Sequence, residues 1–230
     1  MSRETIAILD FGSQYLQLIA RRVREHQVHS LIFAPDVSPE VLRAHDVIGI
    51  ILSGGPASAY GEAAPRAHAG ILDLGVPILG ICYGMQVACQ ALGASVVAGE
   101  QGEYGRTRLD VIASDPLVAH IPKETSVWMS HGDIVTDYGD TFTVLARTRN
   151  CPSAVVRHRD RPLYGAQFHP EVTHTPEGSR LLRNFLYEVC GAAGTWNPGS
   201  IIDDLIGGIR TRALVPRKIF ISVNLIGHVQ

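Results

Sequence analysis

Four cysteines and ten histidines supply the candidate nucleophiles and bases of this chain, and one cysteine stands apart from the others. Cys82 lies in Gly80-Ile81-Cys82-Tyr83-Gly84. It follows the apolar run Val76, Ile78, Leu79, Ile81 and precedes Gly84, Met85, Val87, Ala88 and Leu92, which resume at helical spacing. A cysteine on the turn from a buried strand into a helix is a nucleophile elbow. Glycine two residues to either side lets the backbone bend sharply and keeps side chains away from the sulfur. The positive end of the following helix favours thiolate over thiol. The competing reading is a free cysteine packed as a small core residue.

A cysteine nucleophile needs a base, and the base needs an orienting acceptor on its far nitrogen. His169 follows the apolar run Pro162 to Phe168, and Glu171 stands two residues on across Pro170, so its carboxylate can reach one imidazole nitrogen while the other faces Cys82. His131 in Ser130-His131-Gly132-Asp133 is the rival base, with its carboxylate beyond a flexible glycine. Attack on a carbonyl also calls for oxyanion donors. The backbone N–H of Tyr83 is one, and Gly54-Gly55, ahead of Pro56, is a second glycine loop at a strand end; the alternative there is an ordinary Gly-Pro turn. The segment Ser53-Gly54-Gly55-Pro56 also has a superficial likeness to the pyrophosphate-binding SGGxDS loop, but it lacks the aspartate and no helical pattern follows.

The elements that must position these groups alternate. Thr5 to Leu9 reads as a strand. Asp10 to Gly12 reads as a turn, and Ser13 as the cap of a helix with Tyr15, Leu18, Ile19 and Val23 on one face. Val28 to Phe33 is a strand, a short helix starts at Pro39, and Val47 to Leu52 is a continuous apolar strand of the kind buried in parallel sheets. Pro65 to Leu74 reads as a helix before the elbow strand. This order predicts a doubly wound, mostly parallel α/β sheet with helices on both faces. From Ala94 to Val156, shorter alternating stretches (Thr107 to Ile112, Ser126 to Ser130, Thr141 to Ala146) predict a small added β region. Pro162 to Phe168 is the last strand. Thr175 then reads as the cap of a helix begun at Pro176, with Leu181, Leu182, Phe185, Leu186 and Val189 as its apolar stripe.

With 230 residues, the chain can hold one large domain, and 46% hydrophobic against 18% charged residues excludes general disorder. No apolar run reaches the ~18 to 20 residues of a membrane span. A net charge of −2 with interspersed signs gives no footprint for nucleic acid or a membrane surface. The start, MSRETIAILD, has no signal-peptide sections, and the cysteines lack CxxC spacing, so the expectation is a soluble cytoplasmic protein with reduced thiols and no metal site.

The motifs SGGP at 53–56, GICYGMQ at 80–86 and FHPE at 168–171, in this order, resemble the class I glutamine amidotransferases over residues 5–190. Within them, LDFGSQYLQLIARRVRE at 9–25, MSHGD at 129–133 and QFHPEVTHT at 167–175 are similar to the glutaminase domains of GMP synthetases. The resemblance implies a flavodoxin-like glutaminase domain over residues 1–191. In it Cys82 attacks the side-chain amide of L-glutamine, His169 carries the proton to ammonia and Glu171 orients His169. A glutamyl thioester is hydrolysed, and Gly55 and Tyr83 form the oxyanion hole. Gln86, Ser130, His131, Gly132 and Asp133 would hold the glutamine. Where the family pattern REYG has arginine, this chain has Gly102 before Glu103-Tyr104-Gly105, a loop expected to touch a partner domain rather than glutamine.

Thr195-Trp196-Asn197-Pro198, the apolar positions Ile201, Ile202, Leu205, Ile206 and Ile209, and then Lys218 to Val223 resemble the linker helix and first strand of an ATP pyrophosphatase domain. By that resemblance, residues 192–230 are a poorly ordered linker and truncated domain start. ATP and magnesium would serve only the synthetase half, with no cofactor needed for glutamine hydrolysis. The expected role is to release ammonia for amination of xanthosine monophosphate (XMP) to GMP in purine biosynthesis, the partner being a synthetase domain or subunit. Two alternatives are a thiol hydrolase of γ-glutamyl bonds and a catalytically idle binding subunit.

Overall fold

A computed structural model describes residues 4–61 and 64–197. Strands β1 (Thr5–Leu9), β2 (His29–Phe33), β3 (Val47–Leu52) and β4 (Ile78–Ile81) alternate with helices α1 (Leu16–Glu25), α2 (Pro39–Arg43) and α3 (Tyr83–Ala91). There follow β5 (Ser95–Val111), β6 (Glu124–Thr136), β7 (Phe142–Arg147), β8 (Val155–His158), β9 (Leu163–Ala166) and α4 (Gly178–Asn184), which continues into a π-helical turn at Phe185–Val189. Among the described residues, the strands form one sheet in the order β2-β1-β3-β4-β9-β8-β7-β5-β6. From β2 to β9 neighbours run parallel, and from β9 to β6 they run antiparallel.

Alternation along each central strand builds two apolar layers. Ile6, Ile8, Ile51, Leu79 and Ile81 face α1 and α4, where Ile19, Val23, Leu181, Leu182 and Phe185 close the first layer. Ala7, Leu9, Ile50, Leu52 and Ile78 face α2 and α3, with Leu42, Ile71, Met85, Ala88 and Cys89 in the second. Helices on both faces oblige the central strands to be apolar throughout, which is why Val47 to Leu52 reads as an unbroken run.

The added β region is not a separate sheet. The long β5–β6 hairpin extends the same sheet through β7.

Three local expectations are corrected. Pro65 to Leu74 contains only a 3₁₀ turn at Ala69–Asp73: the His68 imidazole accepts from the Gly70 N–H and caps that turn, and a Cβ on Gly70 would come 2.9 Å from Pro39, so a tight approach replaces the helix. Ser13 does not cap α1. Its hydroxyl accepts from the Tyr15 N–H in a turn, and the helix starts at Leu16. Thr175 does not cap α4, because its hydroxyl is engaged by Trp128 and His169, and Glu177 occupies the cap position.

The described body runs past Gly191 to Trp196, whose N–H donates to the Gln27 carbonyl, and the Ala193 N–H donates to Glu4. The linker helix and strand expected from Ile201 to Val223 lie outside the described residues. No helix among the described residues is long and apolar enough to cross a membrane.

Candidate active site

A cleft of about 570 Å³ opens at the carboxyl ends of the parallel strands. Gly12 and Ser13 follow β1, Gly55 and Pro56 follow β3, Cys82 follows β4 and His169 follows β9, and all line it. Cys82 and His169 thus stand at the ends of buried strands, while Gln86 reaches the cleft from α3 and Ser130 to Asp133 from within β6.

Cys82 sits at the entry to α3 with φ 50° and ψ −110°, a conformation costly for a residue with a side chain. The strain falls on the cysteine itself, and the flanking glycines serve packing rather than bending. A Cβ on Gly80 would lie 2.5 Å from the Met85 N and Cα. One on Gly84 would lie 2.7 Å from the Leu52 carbonyl carbon and nearer still to its oxygen. The two glycines let α3 sit directly on β3 and β4, which forces the turn and lifts Cys82 into the cleft. Cys89 and Cys151 are buried and do not line it, although the Cys151 sulfur lies within 4.8 Å of His131 and Glu103, and desolvation pushes each thiol up to about 12. All four cysteines are free.

His169 and Glu171 are joined as the spacing predicts. The His169 Nδ1 lies 2.8 Å from Glu171 Oε1, with both side chains almost wholly buried. Burial opposes charge on the imidazole, but hydrogen bonds to Cys82 and Glu171 and their negative charges outweigh it, raising His169 to about 10. The loop is tied on every side. The His169 N–H donates to the Trp128 carbonyl, the Thr175 hydroxyl donates to the His169 carbonyl at 2.7 Å, and Arg22 Nε donates to the Glu171 carbonyl at 2.9 Å. Tyr15 packs edge-on against the imidazole at 5.3 Å between ring centroids.

The rival arrangement at His131 does not form. Asp133 offers His131 Nδ1 only its backbone carbonyl, at 3.0 Å, while its carboxylate accepts from the Tyr60 hydroxyl. The carboxylate facing His131 is Glu103, which stands opposite it in the β5–β6 register, 3.4 Å from Nε2. Both Glu103 oxygens also accept from the Thr148 hydroxyl at 2.8 Å. Burial pushes the His131 imidazole below its ordinary value, against the pull of Glu103. Glu103 is therefore an internal support of the Ser130–Asp133 wall, and not a contact of an exposed loop. Its neighbour Tyr104 is 74% exposed and lines the cleft mouth. At Gly102 there is no room for a side chain, since a Cβ would come 2.7 Å from the Tyr104 ring and 2.9 Å from the His131 carbonyl.

The Tyr83 N–H is in the first turn of α3, where a helix has no internal acceptor for it. The Tyr83 side chain points away, donating to the Pro65 carbonyl at 2.6 Å. Gly55 packs so closely on the Phe11 carbonyl that a Cβ would collide with it. Ser53 locks this loop to the first, accepting from the Phe11 N–H and donating to the Gly54 carbonyl. Gly54 leaves space beside Cys82 and His169, as a Cβ there would come 3.2 Å from the His169 ring and 3.8 Å from Cys82 Cβ. Gln86, Ser130, His131, Gly132 and Asp133 all line the same cleft. The sequence reading missed one neighbour of the sulfur, the fully buried Gln167, whose Nε2 is 3.6 Å from Cys82 Sγ. It is the first residue of the QFHPEVTHT motif at 167–175, whose likeness assigns roles to His169 and Glu171 but none to Gln167.

A strained cysteine at a strand–helix elbow, a buried His–Glu pair and a glycine loop at the next strand end, all on one α/β sheet, are the groups that thiol-dependent cleavage of an amide would require. Residues 7–189 match the family model for class I glutamine amidotransferases, and the chain belongs to that family. It is 50% identical over 210 residues to the glutamine-hydrolysing GMP synthase of Thermobifida fusca, and 51% identical over 210 residues to that of Aquifex aeolicus. Both matches cover 91% of this chain, which spans 40% and 41% of those two proteins. Among solved structures, a Thermoplasma acidophilum protein assigned provisionally as one subunit of GMP synthase is 34% identical, with a TM-score of 0.75 over 83% of this chain and 96% of that one. A Thermotoga maritima glutamine amidotransferase, 18% identical with a TM-score of 0.66 over 84% of this chain and all of that one, shares the fold.

Proposed function

We propose that this chain hydrolyses L-glutamine to glutamate and ammonia, with Cys82 as nucleophile, His169 as proton carrier and Glu171 as its orienting carboxylate. The observation that carries the reading is the buried 2.8 Å His169–Glu171 pair, whose imidazole lines the same cleft as the strained Cys82. In this scheme His169 holds the proton and the sulfur attacks as the thiolate at the side-chain carbonyl carbon of glutamine. The C–S bond forms as the carbonyl π pair moves to oxygen, where the Gly55 and Tyr83 N–H groups receive it. Collapse expels the amide nitrogen, which takes the His169 proton and leaves as ammonia. The neutral imidazole then draws a proton from water, whose oxygen adds to the thioester, and collapse releases glutamate and restores the thiolate–imidazolium pair. Ser130, His131, Gly132, Asp133 and Gln86 hold the amino acid end of the substrate.

The likeness to GMP synthases extends the proposal. The ammonia is delivered to an ATP- and magnesium-dependent synthetase half, which aminates XMP to GMP. The test is ammonia release from L-glutamine by the purified chain, with and without a synthetase half, ATP and XMP. Cys82→Ala, which removes the nucleophile and little volume, should abolish release while leaving the fold intact. A variant that keeps most of the activity would place the chemistry elsewhere.

A further inference from the structure

Gln167 has no part in the scheme above, yet its side chain lies against the reacting atom. Its backbone is fixed after β9 by its N–H, which donates to the Ala154 carbonyl at 2.9 Å. The orientation of its side-chain amide follows from its neighbours. The Asp133 backbone carbonyl can only accept, so Gln86 must turn its Nε2 to it, at 3.0 Å. The second hydrogen of that nitrogen meets Gln167 at 3.3 Å, so Gln167 must present its Oε1 there. Its Nε2 is thereby left facing Cys82 Sγ at 3.6 Å. An amide nitrogen donates but does not accept, so the sulfur at this contact is the acceptor. The thiolate is the form that accepts best. The sulfur is also faced by the His169 imidazole and by the Ser130 carbonyl, 3.8 Å away, which can accept only from the protonated thiol.

We propose that Gln167 is a catalytic residue whose side-chain amide donates a hydrogen bond to the Cys82 thiolate, holding the sulfur charged and aimed before substrate binds. Gln86 and the Asp133 carbonyl act as positioning groups that fix which way this amide faces. The proposal deepens the glutaminase reading and rests on it for the reaction, but the donor itself can be tested without substrate. The contact also ties sulfur activation to the glutamine-binding wall, since the chain of bonds begins at Asp133.

The test is the rate of iodoacetamide alkylation of Cys82 in the full chain as a function of pH, read on the Cys82 peptide by mass spectrometry, without glutamine. Gln167→Glu keeps an acceptor for Gln86 and loses the donor but adds a carboxylate beside the sulfur, so Gln167→Met, which loses both groups and adds no charge, is the deciding variant. In both variants the midpoint of the alkylation profile should move up by about one pH unit, and glutamine turnover at neutral pH should fall about tenfold and recover partly as pH rises. Packing alone would not move the alkylation midpoint. Profiles that superimpose on the wild type in folded variants overturn the proposal, whatever happens to turnover. If neither variant folds, the wild-type chain decides. The Gln167 side-chain amide proton resonance should titrate together with Cys82 and lose that titration in Cys82→Ala, and a resonance unchanged by pH overturns the donor role. A chain that hydrolyses no glutamine would refute the glutaminase reading and leave both of these readouts intact.

Discussion

Replacing Gly84 by alanine should damage catalysis without touching a reacting group. The added methyl would meet the Leu52 carbonyl group and Cβ, with the nearest two carbons at 2.7 Å. Leu52 ends a buried central strand and has no room to retreat, so the start of α3 must lift off the sheet by roughly 1 Å, the kind of overpacking that costs about 1–3 kcal/mol. For a body of this size that corresponds to a fall of about 3–10 °C in thermal midpoint. Tyr83, whose N–H is the proposed oxyanion donor, and Cys82 move with the helix, and a displacement near 1 Å can cost about 10²-fold in rate. The expected result is a folded protein with kcat lowered about 10²-fold and KM little changed, measured by ammonia release beside a melting curve. Gly139→Ala is the control. At φ +48°, with nothing within 4 Å of the added Cβ, it should lose about 1 kcal/mol to backbone strain and keep full turnover. A Gly84→Ala protein with wild-type midpoint and wild-type kcat would refute the argument that α3 is held against β3 at contact distance and that this distance sets the elbow.

Glu171→Gln removes the buried charge behind His169, so the imidazole should titrate well below about 10, and hydrolysis at neutral pH should fall by about 10²-fold; imidazole NMR across the pH range and ammonia release measure the two, and an unchanged titration would count against the pairing. The folded His169 value is raised above 6.5, so the stability contributed by its charged form is fully present below about pH 6.5 and lost as pH climbs through about 10. The gap in thermal midpoint between wild type and His169→Gln should therefore narrow across that window, and a gap that widens there would reverse the sign. Glu103→Gln alters the acceptor of the Thr148 hydroxyl and the group facing His131, so it should destabilise the Ser130–Asp133 wall and raise KM for glutamine more than it lowers kcat; a change confined to kcat would put Glu103 in the chemistry instead.

What could be read from the sequence divides by the distance between partners along the chain. Cys82 and the His169–Glu171 pair were legible because each is compressed into a few residues at the end of an apolar strand, where the open-sheet rule already places a site. Gln167 and Glu103 were not. The first meets Cys82 across 85 residues and the second meets Thr148 across 45, and nothing local in either neighbourhood encodes those meetings. The same division explains the misread caps. Ser13 and Thr175 carry the right hydroxyl for capping, but Tyr15 in a tight turn claims the first, and Trp128 on β6 and His169 in the same loop claim the second.

The elbow shows the limit of reading a motif for its apparent reason. Gly-x-Cys-x-Gly was legible as a bend, yet both glycines keep ordinary negative-φ backbone, and the left-handed conformation belongs to Cys82. Glycine is required at 80 and 84 because the Met85 backbone and the Leu52 carbonyl approach within a methyl's radius. The motif thus encodes a spacing between helix and sheet. The strain at Cys82 follows from that spacing: a helix docked this closely above the end of β4 leaves the one residue between strand and helix no relaxed way to turn.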